Sequence, residues 1–146
     1  MTVKDNIQQP AGTLRLTAYD KAGAILWCEA GKNLIVTTGY RALFEALAGV
    51  QGSAITKVAV GTNAIAPTET DTQITNSTTL AIQSVEYPND KQVRFNFVIG
   101  YNDAVGKAIT EFGLLTNDGR LFSRKTRAAI DKTQYMSIVG QWDIII

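Results

Sequence analysis

Residues 111–124 read EFGLLTNDGRLFSR, two apolar runs of strand character joined by Asn117-Asp118-Gly119. Tight hairpin turns need a positive φ, which glycine supplies freely and asparagine or aspartate tolerates. Asp-Gly between β-type runs therefore predicts an antiparallel hairpin. Nothing in the stretch has the character of a catalytic centre. It is architecture, and most of the chain has the same quality.

Thr13 to Tyr19 alternates, with Leu14, Leu16 and Ala18 on one side and Arg15, Thr17 and Tyr19 on the other, as in a half-buried strand. A turn at Asp20–Gly23 leads to a second strand, Ala24–Glu29. Gly31 breaks that run, and Asn33–Val36 is a short buried piece. Ile55–Gly61 is a strand with Ile55, Val58 and Val60 as its apolar members. Leu80–Tyr87 and Lys91–Tyr101 are strands on either side of a turn at Pro88-Asn89-Asp90, with Val93, Phe95, Phe97 and Ile99 on one face. The last run, Gln134–Ile146, puts Met136, Ile138, Trp142, Ile144 and Ile146 on one side and Ser137, Gln141 and Asp143 on the other.

One helix interrupts the strands, over about residues 38–48. Tyr40, Leu43, Phe44 and Leu47 recur at i, i+3, i+4 and i+7 and so share a face, which is expected to be buried. Thr37 or Thr38 can cap its start and Gly49 is placed to end it. Thr62–Thr79, rich in Thr, Asn and Ala and holding Pro67, is a surface excursion longer than an ordinary connection. Strands follow strands without βαβ alternation. The chain therefore reads as all-β, an antiparallel two-layer sandwich or flattened barrel of about eight strands with one short helix. Residues 1–12 form an N-terminal arm and 13–146 a single domain.

Composition narrows the function. Charged residues are only 18% of the 146 residues, which suits either a subunit packed against others or a monomer covered in Thr, Asn, Gln and Ser. The net charge of +1 gives no electrostatic footprint for nucleic acid or an anionic membrane. Arg120, Arg124, Lys125, Arg127 and Lys132 read as a solvated edge. Histidine is absent, which removes the commonest general base and metal ligand. Cys28, the single cysteine, lies in the apolar run Ile25-Leu26-Trp27-Cys28 and reads as a buried, inert thiol. No cofactor or metal is expected. The start lacks the apolar stretch of a signal peptide, and no segment approaches the ~20 apolar residues of a membrane helix, so folding in a cytoplasm-like compartment is expected.

Glu111 stands in the otherwise apolar run Ile109–Leu115. Pointing inward, it needs a partner, and Arg124 across the hairpin or Lys132 before the last strand can provide one. The two readings are a catalytic acid and a strut in a structural ion pair; the strut is preferred. The aspartates are scattered singly in turns without the spacing of a calcium loop, and Gly61-Thr62-Asn63 lacks the Gly-Lys-Ser/Thr of a phosphate loop. Trp27 and Trp142 read as core.

Taken in order, NLIVTTGYRALFEALAG (33–49), ITKVAVGTNAIAPTETDTQI (55–74), EFGLLTNDGRLFSR (111–124) and IDKTQYMSIVGQWDIII (130–146) resemble a family of small tailed-bacteriophage virion proteins. These are described as tail-fibre, baseplate-associated or other structural components. The resemblance covers residues 33 to 146 and rests on glycines, apolar strands and turns. It implies a non-enzymatic, β-rich subunit in the virion, made in the host cytoplasm and assembled with other copies and other virion proteins. No catalytic motif carries over. The matching positions are scaffold, among them Gly39, Gly61, Pro67, Glu111, Gly113, Gly119, Arg124, Lys132 and Trp142.

The leading expectation is thus a tail, baseplate or fibre-attachment component, with capsid decoration as the alternative. The contact elements are expected in the arm, at Val3, Asn6, Ile7 and Gln9, and in the long loop, at Thr62, Asn63, Pro67 and Thr70. A receptor- or carbohydrate-binding module using Trp27, Tyr19, Tyr101 or Tyr135 is a more distant alternative, although nothing indicates a host receptor. A hydrolase would have to be built on Glu111 and a second carboxylate.

Overall fold

The computed structural model describes residues 9–146. Val3, Asn6 and Ile7 of the arm lie outside the described residues; Gln9 is exposed at their start. The elements run β1 (Ala11–Tyr19), β2 (Ile25–Ile35), α1 (Thr37–Leu47), β3 (Ile55–Gly61), β4 (Thr78–Ala81), β5 (Ser84–Asn89), β6 (Gln92–Ile99), β7 (Ala108–Thr116), β8 (Leu121–Asp131) and β9 (Ser137–Ile145). The strands pair antiparallel in the order β4-β3-β7-β8-β2-β1-β9-β6-β5.

This order forces the sheet to curl. β4 and β5 are its two edges, yet only Ile82 and Gln83 separate them in sequence. The Ile82 amide donates to Thr56 O and the Gln83 amide to Asn96 O, so the short link stitches one edge region to the other. On the far side β2 does the same work. It pairs with β1 along Ile25–Asn33, then with β8 only at Leu34↔Arg124 and Ile35↔Ser123. The result is one layer of β5-β6-β9-β1-β2 folded over another of β2-β8-β7-β3-β4. This is the expected all-β architecture, a curled antiparallel sheet with a single short helix.

Among the described residues there are nine strands rather than the expected eight, because the run read as one strand at 80–87 is broken at Ile82-Gln83 to turn the corner. Gly31 does not break β2, which runs straight through it. A side chain there would meet the Lys125 ammonium, whose Nζ lies 2.6 Å from a built Cβ.

Side-chain alternation fills the space between the layers. Leu14, Leu16 and Ala18 of β1, Phe95, Phe97 and Ile99 of β6, Phe112 and Leu114 of β7, and Ile138, Trp142 and Ile144 of β9 are buried together. Ile146, read as a member of the same face, is exposed beyond the end of β9. The hairpin turn follows its sequence signal: Gly119 has φ +88 and its amide donates to Thr116 O at 2.9 Å. Asn117 and Asp118 then dock the tip onto Ala54 O and Gly52 O through their amides.

The helix departs from expectation. Its buried members are Gly39 and Ala42, with Tyr40 and Leu43 partly covered, whereas Phe44 and Leu47 are 64% and 79% exposed. The reason is the closeness of approach: the backbone at Gly39 lies directly over the Phe122 carbonyl of β8. Only small residues fit such a contact, so the larger apolar side chains rotate away. The N-cap is Val36, with no side-chain cap. Thr38, one of the two expected caps, instead donates to Leu121 O at 2.6 Å. Gly49, at φ +76, ends the helix in a Schellman arrangement, its amide on Ala46 O and that of Val50 on Glu45 O. Phe44→Ala is accordingly expected to change stability by no more than about 0.5 kcal/mol, as for other exposed sites. Urea unfolding checks this, and a loss of about 2 kcal/mol or more would mean the ring is packed.

Candidate functional site

β7 and β8 carry the main cluster of buried charge, and it does not lie between the layers. Glu111 alternates with the core residue Phe112 and Arg124 is opposite Gly113, so both project from the outer face of their layer. They are nonetheless 0% and 1% exposed, because the loop between β3 and β4 lies over them. Two glycines make room for it. Ile74 rests on Gly61 and Gly113, where a built Cβ would come within 2.5 Å and 2.6 Å of its side chain.

The ion pair then ties the loop down. Glu111 Oε1 accepts from Arg124 Nε at 3.1 Å. Glu111 Oε2 accepts the amides of Asn63, at 2.5 Å, and Thr75, at 3.2 Å, near the two ends of the loop. Arg124 Nη1 donates to Asp71 Oδ2 at 2.9 Å and Nη2 to Asn63 O at 3.1 Å. Thr62 N also donates to Thr75 O, and Thr37 N at the start of α1 reaches Glu69 O. Each buried charge therefore meets an opposite charge or backbone dipoles, which offsets its desolvation.

Of the loop residues expected to make contacts, Asn63 is part of this clasp through its backbone, Thr62 closes the loop base and Pro67 is half-buried; Thr70 is exposed. Ala64, Ile65 and Ala66 are also exposed, Ile65 to 72%.

Lys132, the other expected partner of Glu111, lies elsewhere. Its Nζ donates to Thr133 O at 2.8 Å and Tyr101 O at 3.3 Å at the turn before β9. Burial pulls its amine below the usual lysine range, and Asp103 partly offsets this. Sequence reading missed Asp71 as the second carboxylate on Arg124. It also missed what Gly61 and Gly113 are for: glycines on adjacent strands leave a trough in which something must lie.

Burial of Asp71 works against its charge, but the amide and hydroxyl of Thr68 and the Arg124 guanidinium outweigh it, holding the carboxyl below the usual aspartate range. A depressed folded-state pKa gives stability that is fully present above the unfolded value and lost as pH falls through the folded one. Acidification below the ordinary carboxylate range should thus loosen the loop. The protection of the Thr75 amide against hydrogen exchange, taken relative to its intrinsic rate at each pH, is expected to fall there before protection in β1 and β9 does; simultaneous loss would show that the clasp does not open separately.

The aromatic residues divide between core and surface. Trp142 is 0% exposed between the layers. Trp27, read as core, is only half-buried, with the Arg127 guanidinium 5.0 Å from its ring centroid and Arg127 paired with Glu29. Tyr101 and Tyr135 flank Lys21 at 5.3 Å and 5.8 Å, and the Tyr101 hydroxyl donates to Asp20 O; Tyr19 is half-buried on β1. Cys28 is exposed rather than buried, because it faces outward from β2 beside Thr17 and Arg15. The Thr17 hydroxyl, with Arg15, holds its thiol below the usual value.

Among the described residues, no group of three or more acidic or cysteine side chains is placed to hold a metal ion, and no helix is long and apolar enough to cross a membrane. No family model, curated protein or solved structure matches the chain.

Proposed function

We propose that the chain is a non-enzymatic structural subunit of a tailed-bacteriophage virion, acting through contacts with other copies and other virion proteins. Its place in this reading is the tail, as a baseplate or fibre-attachment piece. The observation that carries the reading is the use made of Glu111 and Arg124. The two are buried beneath the loop, both oxygens of Glu111 are already accepting, and the guanidinium is divided among Glu111, Asp71 and Asn63. This chemistry holds a surface loop in one shape; it does not present an acid or base to a substrate. A loop fixed in this way, with Ile65 and Thr70 facing outward, suits a subunit that recognises protein neighbours. The ordered likeness of residues 33–146 to phage virion proteins supplies the setting.

Light scattering of the purified protein across a concentration series tests the reading. A closed trimer or hexamer is expected, in keeping with the three- and six-fold symmetry of tails. A monomer that binds only to assembled capsid shells would move the protein to the head as a decoration subunit. A monomer that associates with neither heads nor tails would overturn the proposal.

A further inference from the structure

We propose that the apolar cleft beside α1 is the seat of this chain's own N-terminal residues, with Val3 and Ile7 as the side chains that fill it. The inference goes beyond the proposed function and does not depend on it.

The helix closes one end of the space between the layers, but only in part. Gly39 and Ala42 seat α1 on β8, and the start of β6 and the end of β9 stay uncovered. Two cavities of about 190 and 330 Å³ result, and Leu43, Val93 and Ile144 line both. The smaller reaches down to Phe95 and Phe122 of the core. The larger opens past Tyr87 and Ile146, which are 77% and 58% exposed. Leu47, one turn along α1 from Leu43, is bare as well. An exposed apolar patch continuous with a cleft into the core marks a binding surface.

The occupant follows from where the chain enters the sheet. β1 starts at Ala11, opposite Ile145, and Ile145 pairs on its other side with Gln92 on the cleft rim. The step from Ala11 to that rim is thus two strand spacings, about 10 Å. Neither Pro10 nor Gln9 continues the strand, and Pro10 has no amide with which to extend the ladder. The sequence before Gln9 carries apolar side chains at Met1, Val3 and Ile7. Ile7 is four residues from Ala11 and Val3 eight, giving reaches of about 13 Å and 26 Å. Both exceed the step to the cleft. Val3 and Ile7 share a side of an extended segment. The rim also presents Asp90 and Lys91, one charge of each sign, against Lys4 and Asp5. A tether this short gives an effective concentration on the order of millimolar, which favours the chain's own segment over that of a second copy.

Thiol protection in the full-length chain tests the contact. In a Cys28→Ser background, Tyr87→Cys places the single thiol on the cleft wall. Tyr135→Cys places it at an exposed position beside Lys21, away from the cleft. Reaction of the Tyr87→Cys protein with N-ethylmaleimide is expected to speed up about tenfold or more when Val3→Asp and Ile7→Asp are added, while that of the Tyr135→Cys protein stays unchanged. A rate at position 87 that the two aspartates leave unaltered would overturn the proposal. Protection lost on dilution would also overturn it, by showing a second copy to be the occupant. Equal acceleration at both positions would do the same, by showing that the aspartates loosen the whole fold rather than uncover the cleft.

Discussion

Arg124→Met is expected to lower the unfolding free energy by about 3–5 kcal/mol, the range for removing one partner of a buried ion pair. Glu111 then remains 0% exposed with no guanidinium, and Asp71 and the Asn63 carbonyl lose a donor in the same step. The damage should fall on the loop as well as on the global transition. Cleavage within residues 64–72 by a non-specific protease should become fast under conditions where the parent is resistant. Glu111→Gln is the informative companion. It keeps an oxygen for Arg124 or for the loop amides but not for both, and should cost less than Arg124→Met. Equal and small losses, under about 1 kcal/mol, would show that the pair is not what holds the loop.

Gly39→Ala should destabilise by about 3 kcal/mol or more, the upper end of the range for overpacking. On an exposed helix the same change gains roughly 1 kcal/mol, because alanine has the higher helix propensity. Here the added methyl overlaps the backbone carbonyl of Phe122, and a backbone atom in a paired strand cannot swing aside as a side chain can. The helix must move off β8, giving up the Val36 amide bond to Phe122 O and the Thr38 bond to Leu121 O. A thermal melt gives the sign directly. A raised midpoint would mean that α1 shifts freely over the sheet and that the close contact is not part of the fold's stability.

Local pattern made the strands legible. Alternation in β1, β6 and β9 named the side chains that these three strands send between the layers, and Asp-Gly named the β7–β8 turn. The helix was legible in extent but not in orientation. Its 3.6-residue stripe of Tyr40, Leu43, Phe44 and Leu47 was the natural buried face, yet Gly39 and Ala42 won because close backbone approach rewards smallness over hydrophobicity. Glu111 and Arg124 were legible as a pair because they stand across one hairpin. Asp71 was not, since it lies 40 residues before Glu111 on a loop without periodicity, and only the folded path brings it to Arg124. Cys28 was misplaced for a related reason: an apolar run usually marks a buried strand, but this one lies at an edge.

The clasp at Glu111 also separates two properties that loops usually trade against each other. Because a single carboxylate oxygen receives the amides of both Asn63 and Thr75, the span between them is closed at its base whatever its length. Lengthening a closed span costs little, about 0.6 kcal/mol for each doubling. Positions 64–66 are therefore a site at which foreign peptide can be inserted without disturbing the strands beneath, making this small barrel a natural display scaffold.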